Sequence, residues 1–446
     1  MGGMGSKPAG TGQRKRRMVR GRLRAWLPWL LFALLLVPTA LRVEGYRERL
    51  SEGRFPDFRI FYDQAERAER GDPLYRTDRE DFHLPGSQSY KFPPPVAALL
   101  SLLEGRPATR HAPLGIAVSL ALLAAAFALL AAAHRPPLWR LLLALLVTIH
   151  WVPNFESLAA LAVEPLILLL WVLALLLARR AHAMGAGAAI GAAGALKVYP
   201  AGLLIHFLLR RRWRALGGVL LGGAVTLALA GLVLPLRHAA DYFLRVLPHL
   251  GGIALSTENL GLFGNAGRLA IGLVAGRERM LSESRRYLSI LGDVDLPGVR
   301  PLALGMAIVV IVIALGVTFR VWRRGATLPA SRSASLGTAL TISFYLPLLP
   351  SSWAHYQQLL LLPLLVAFFH APAPHRAPTI WLLLAAGAIP GLWITDTHAF
   401  YRADPLLASA LRSLIPFWIW WALLRIRAVA GRTHDATSKT SVGPAT

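Results

Sequence analysis

Residues 179–212 read RRAHAMGAGAAIGAAGALKVYPAGLLIHFLLRRR, and this stretch decides how the chain must fold. It is apolar between two basic ends, Arg179-Arg180 and Arg210-Arg211-Arg212. Basic clusters beside apolar runs mark the cytoplasmic side of a membrane. With both ends on that side, residues 183–209 must enter and return. Each arm then has about 13 residues, or roughly 20 Å of helix, against a hydrocarbon core about 30 Å thick. Neither arm spans it. The turn, Lys197-Val198-Tyr199-Pro200, is expected below the outer surface in a protein-lined cavity, since irregular backbone is not tolerated in lipid. The Gly/Ala-rich arm from Gly185 to Gly194 favours close helix packing.

The rest of the chain agrees with a membrane setting. Of 446 residues, 55% are hydrophobic and only 16% charged, too little polar surface for a water-soluble body. The formal charge is nevertheless +25, from 48 Lys+Arg against 23 Asp+Glu. These features exclude a disordered chain, a cytosolic enzyme and a small disulfide scaffold. There are no cysteines, so thiolate metal sites and thiol nucleophiles are excluded. The arginines fall in clusters between apolar runs, and anionic lipid rather than nucleic acid is the partner they need. Only five residues are lysine, which makes Lys197 inside an apolar stretch conspicuous.

The first run, Trp26 to Val43, follows a basic stretch but is too long for a signal-peptide core and lacks a small-residue cleavage site. It reads as a retained span with a cytoplasmic N-terminus. Further runs near 114–133, 138–152, 160–178, 183–196, 198–209, 215–236, 301–320, 335–350, 356–370, 378–395 and 406–424 bring the total to about 11–12 membrane segments, some short or re-entrant. The expected class is an all-α polytopic protein of the plasma membrane. A basic cytoplasmic tail over 1–25 precedes a membrane domain over 26–427, and a disordered cytoplasmic tail covers 428–446. Two long connections, 44–113 and 237–300, fall outside the membrane and are long enough for short interfacial helices.

Polar residues on that outer side are the candidates for chemistry. Asp57, in Phe55-Pro56-Asp57-Phe58, is an acid among apolar neighbours, which suits a general base, although a surface loop acid fits the same spacing. Tyr62, the turn Gly71-Asp72-Pro73-Leu74-Tyr75 and Phe92-Pro93-Pro94-Pro95 describe an ordered loop whose aromatics suit a sugar. His355 sits in Ser351-Ser352-Trp353-Ala354-His355-Tyr356-Gln357-Gln358; it suits acid–base or phosphate contact, and Trp353 suits stacking on a sugar or an interfacial belt. Lys197 is either an anion contact or a snorkelling side chain. Glu164, before Pro165, is an unusual membrane acid able to pair with a base. Arg268, beyond Asn259, reads as a phosphate clamp or a solvated loop arginine. No P-loop, dinucleotide fingerprint or His-Glu-x-x-His pair is present. No cofactor is expected. No compact acidic set suggests a metal either, with Asp72, Asp78 and Asp81 the outer acids left over.

Taken in order, Asp57-Phe58 with Tyr62, Gly71-Asp72-Pro73-Leu74-Tyr75 and Phe92-Pro93-Pro94 resemble the first outer loop of bacterial polyprenol-phosphate-mannose-dependent α-mannosyltransferases, a GT87-type GT-C family. Lys197-Val198-Tyr199-Pro200 with the basic loop from Arg210 to Arg214 is similar to that family's central pattern, and Ser352-Trp353-Ala354-His355 to its late Ser-Trp-x-His motif. The resemblance implies a GT-C fold and transfer of a hexose, mannose above all, from a polyprenyl-phosphate donor to a lipid or glycan acceptor on the extracytoplasmic face, with inversion. It implies Asp57 as base, His355 as a second acid–base or phosphate contact, and Lys197 at the donor phosphate, where Arg268 is expected to join it by its bidentate geometry. Tyr62, Tyr75, Glu164, Asn259, Trp353 and Gln358 would line the substrates. Three motifs depart from the family: its Gly-Gln-x-Asn stands here as Leu161-Ala162-Val163-Glu164, its Asn-Gln-Ser-Leu-like loop motif as Asn259-Leu260-Gly261-Leu262, and Tyr356 follows His355 where a second histidine is common. The alternative is a transporter or flippase for an anionic lipid-linked substrate, which would use the same cations for binding.

Overall fold

A computed structural model describes residues 56–77, 89–103, 108–286, 289–324, 328–393 and 404–440. The basic N-terminal tail, the Trp26–Val43 run, Asp78 and Asp81 lie outside the described residues. The chain is an all-α polytopic membrane protein. Among the described residues the only β pairings are two isolated bridges, Ala254 with Ile290 and Asn259 with Trp353.

Among the described residues, four helices are individually long and apolar enough to cross a membrane: His111–His134, Trp213–Ala230, Val299–Val321 and Pro405–Ala430. A fifth span forms if the pair Leu138–His150 and Val152–Ala160, bent by 42°, counts as one. The bend has a local cause, because Trp151 is extended and Pro153 gives no N–H to the ladder. Ala183–Leu196, Tyr199–Leu209 and Pro378–Leu392 are apolar but short. The Val299–Val321 span leaves Ile308, Val309, Val312 and Ile313 exposed, as a lipid-facing helix must. A core of Trp151, Ile167, Trp171, Leu336, Leu362 and their neighbours fills the centre of the bundle.

The Arg179–Arg212 stretch is broken at the Lys197–Pro200 turn. A helix over Ala183–Leu196 stops at Lys197, which is extended (φ −155°, ψ 126°). A 3-10 turn over Tyr199–Leu203 and a six-residue helix, Leu204–Leu209, carry the chain back. The Ala183–Leu196 helix packs on Trp213–Ala230 through Gly187 and Gly191 on one side and Gly218 and Gly222 on the other. A Cβ at these positions would enter the backbone of Ala215, Val219, Met184 and Ala188 respectively, so only glycine permits this approach. Both pairings advance in the same sense along the two helices. The helices are therefore parallel, which obliges the chain between them to turn back.

The first long connection covers the tip of this arm. Helix Pro56–Glu69 and helix Pro94–Ser101 share a cluster in which Phe61, Ala65, Tyr75, Tyr90 and Val96 meet Leu196, the neighbour of Lys197. In the second connection the helix Leu262–Arg285 is kinked at Gly276, whose φ of +84° suits glycine. The last helix runs over Ile415–Thr440, past the 427 boundary drawn from hydropathy and through residues read as tail. Ala428, Ala430 and Arg432 are good helix formers, the single Gly431 is tolerated, and no proline intervenes before Thr440.

Candidate active site

Lys197 is placed by the break after the Ala183–Leu196 helix and Glu164 by the start of the helix Glu164–Arg179. They meet as a buried ion pair: Lys197 Nζ lies 2.6 Å from Glu164 Oε1, with side-chain exposures of 7% and 0%. The N-terminal end of that 16-residue helix favours a carboxylate there. The Tyr199 hydroxyl donates to the same oxygen at 3.1 Å, and His355 Nε2 stands 3.8 Å from it. Glu164 Oε2 is buried with no hydrogen-bond partner among the described residues. One carboxylate oxygen is thus crowded with donors while the other is buried with its hydrogen-bonding capacity unused.

Aromatic rings wall the lysine. Its ammonium lies 4.2 Å from the centre of the Tyr356 ring, 4.6 Å from Phe92 and 5.5 Å from Tyr199. Tyr199 stacks on Tyr356 at 4.6 Å, and His355 stands edge-on to Tyr356 at 4.7 Å. The Tyr345 hydroxyl holds the Tyr199 carbonyl at 2.6 Å. Its ring occupies the space where a side chain at Gly202 would go. Ring faces stabilise a cation without consuming its N–H donors. Lys197 is therefore stable when buried and still able to donate to an anion.

The Phe92 wall depends on the first loop. Tyr75 donates to the Phe92 carbonyl at 2.9 Å and Tyr90 to the Pro93 carbonyl at 2.8 Å, and Tyr90 accepts from Ala97 N at 3.1 Å. Burial pushes both phenols well above their ordinary range, so they stay protonated donors. Tyr75 thus supports the lysine cage from behind. Tyr62 lies in a separate cluster with Phe58, Ala112 and Leu161, donating to the Leu103 carbonyl at 3.3 Å. Asp57 is on the first turn of the Pro56–Glu69 helix, and its side chain lies outside the described residues.

The second connection supplies a knot. Asn259 donates to the carbonyls of Ala254 (2.7 Å) and Pro350 (3.0 Å), and its Oδ1 accepts from Gly261 N (3.0 Å) and Ser352 N (2.8 Å). With the Asn259–Trp353 bridge this ties the loop to the turn that carries His355. Arg268 is buried at 3% exposure and donates to the carbonyls of Leu255, Ser256 and Asn259, to Asn265 Oδ1 and to Ser409 Oγ, at 2.6–3.2 Å. The guanidinium is thus neither a solvated loop group nor free for a phosphate, because protein acceptors take its terminal nitrogens. Gln358, one 3-10 turn beyond His355, is fully buried, and its amide has no partner among the described residues. Gln357 beside it donates to the Arg412 carbonyl at 3.0 Å.

Of the residues expected at the site, Lys197, Glu164 and His355 converge, Tyr75 supports them, and Asn259 and Trp353 position the His355 turn. The cage formed by Tyr199 and Tyr356 is not evident from the sequence, where Tyr199 is one residue of a turn and Tyr356 a departure from the family motif. The signal was present in the Tyr-Pro step two residues after a lysine set in an apolar stretch. Nor is the pairing of Glu156 with Arg412 evident, a bidentate pair with both contacts at 2.6 Å. Among the described residues no three His, Asp or Glu side chains converge as metal ligands.

The model of glycosyltransferase family 87 matches residues 90–351. The chain belongs to glycosyltransferase family 87. No curated protein and no solved structure matches it. Membership makes the protein a membrane glycosyltransferase, with a sugar donor and an acceptor as its substrates. The matched residues include Phe92, Glu164, Lys197, Asn259 and Arg268; Asp57, Tyr62, Tyr75 and the turn from Trp353 to Gln358 lie beyond its ends.

Proposed function

We propose that this family 87 member transfers a hexose, mannose in the first instance, from a polyprenyl-phosphate donor to a lipid or glycan acceptor at the extracytoplasmic face of the plasma membrane, inverting the anomeric centre. The observation that carries the reading is the buried, ring-walled Lys197 beside Glu164, below the covering first loop. In the reaction the acceptor hydroxyl oxygen bonds to the anomeric carbon as the bond from that carbon to the phosphate oxygen breaks. The electron pair leaves with the phosphate, and the acceptor proton passes to the Asp57 carboxylate. Negative charge grows on the phosphate, so a fixed cation that needs no reorganisation lowers the barrier. Lys197 fills that role, sharing its donors between Glu164 and the phosphate, and His355 contributes a further donor.

Arg268 enters this proposal differently. Its bonds to the Leu255–Asn259 turn support a role in holding the loop that shapes the sugar pocket, next to Asn259 and Trp353. Tyr75 supports the substrate space from behind Phe92, and Tyr62 and Gln358 shape it from the packed clusters around it.

The test is transfer of radiolabelled mannose from synthetic polyprenyl-phosphate-mannose to a total membrane lipid extract, comparing purified wild type with Asp57→Asn. Label in a new product with wild type, lost in the variant, is the expected result. Near wild-type transfer by Asp57→Asn would remove Asp57 as base. No product with any of a panel of polyprenyl-phosphate sugars would turn the reading toward transport of the lipid-linked substrate.

A further inference from the structure

The helices that hold Glu164 and Tyr345 near Lys197 have their other ends together as well. The helix from Glu164 to Arg179 has 16 residues, about 23 Å of rise. Around Arg179 gather His134 at the end of its span, His370 at the end of the Leu361–His370 helix, and Arg332 near the start of Ala330–Tyr345. Arg179 donates to His134 Nε2 at 2.6 Å, to Ser335 Oγ at 3.1 Å and to the Ala133 carbonyl at 3.1 Å. His134 Nδ1 faces the Leu130 carbonyl at 2.9 Å, so that nitrogen carries the proton and the ring is neutral. Arg332 donates to the His370 carbonyl at 3.3 Å, and Arg140 to those of Phe368 and Phe369 at 3.2 and 3.1 Å. The His134 and His370 rings meet edge-to-face at 5.1 Å, and His370 lies in the joint field of Arg332, Arg179 and Arg140.

Charge at this end does not balance. Among the described residues no ion pair reaches Arg140, Arg179 or Arg332. The carbonyls they cap are the ends of two helices, each worth about half a negative charge. Three guanidiniums against roughly one unit leave about two positive charges over. The buried Nε atoms of Arg140 and Arg332 and the Nε2 of His370 also have no acceptor among the described residues. Arg140 lies over the Trp139 and Trp381 rings at 5.0 and 5.9 Å. Beside them Leu138, Trp139 and Leu382 are exposed by 65%, 37% and 69%, an apolar rim that faces lipid.

We propose that Arg140, Arg179 and Arg332 form a binding site for the phosphate of an anionic phospholipid in the leaflet at that end, with its acyl chains along Leu138, Trp139 and Leu382. The rim selects a lipid over a free anion, because inorganic phosphate gains nothing from apolar contact. The site is separate from the Lys197 pocket and stands whether or not the proposed transfer reaction is correct.

The test measures binding to the purified full chain, by native mass spectrometry and by the thermal midpoint, with phosphatidylglycerol, phosphatidylcholine or inorganic phosphate added. Wild type is expected to bind phosphatidylglycerol in preference to phosphatidylcholine and to gain stability from it, whereas phosphate gives no gain. Arg140→Gln with Arg332→Gln should weaken phosphatidylglycerol binding about 25-fold, at roughly fivefold for each arginine at a lipid surface. The pair Arg180→Gln with Arg376→Gln removes the same charge from exposed positions and should weaken it far less. Equal loss in both pairs would reduce the site to general surface charge. Equal binding of the two lipids by wild type would overturn the proposal, and a full gain from phosphate would overturn the lipid as its source. If the site pair fails to fold, Arg332→Gln alone carries the comparison.

Discussion

Lys197 and Arg268 are both buried cations, and they show how different burial can be. Arg268 meets five protein acceptors, and its terminal nitrogens are committed to them. Lys197 has one carboxylate oxygen and three aromatic rings. The first arrangement fixes a loop. The second stabilises a charge while keeping donors for something that is not protein. Burial by itself therefore marks neither a site nor a scaffold; what separates them is whether hydrogen-bonding capacity is left over.

Substitutions at the two positions should separate activity from stability. Lys197→Met is expected to lower transfer by two to three orders of magnitude, the scale of a lost electrostatic contact in a transition state. It also strands Glu164, a penalty of about 3–5 kcal/mol. Adding Glu164→Gln should restore most of the melting temperature and none of the transfer, as read by differential scanning fluorimetry beside the radiolabel assay. Recovery of both would make the pair merely structural.

Arg268→Met should behave oppositely. Unpaired carbonyls in the Leu255–Asn259 turn should cost on the order of 3 kcal/mol in stability, while turnover per folded molecule, titrated by active fraction, changes less than with Lys197→Met. A collapse of turnover with an unchanged melting temperature would return Arg268 to the donor phosphate. Tyr356→Leu is the smallest test. Loss of one ring face near an ammonium is worth about 0.5–2 kcal/mol, and should appear as a few-fold rise in KM for donor with kcat nearly kept.

Much of this was legible along the chain. A broken arm was expected from two arginine clusters and an apolar run too short to cross twice, and the structure breaks it at Lys197. The Gly/Ala-rich character of that arm announced close packing. The partner, Trp213–Ala230, and the parallel sense were not announced, because small-residue spacing says that something approaches closely but not what. Glu164 was recognisable as an acid in need of a base. That the base is Lys197, 33 positions away, was not. Arg268 was misjudged for the same reason: its acceptors are backbone carbonyls, which every residue has and no sequence pattern advertises.

The amino-acid sequence on its own determined the membrane class, the location of the broken arm and the ordered motifs that point to a glycosyltransferase. Hydropathy, helix breaking by proline and the bias of arginine toward one face act locally and add along the chain, so they survive being read in one dimension. Only the tertiary structure decided which charges meet and which donors remain free. Those outcomes depend on acceptors converging from distant segments, and in a low-dielectric interior a shift of a few ångströms separates a committed cation from an available one.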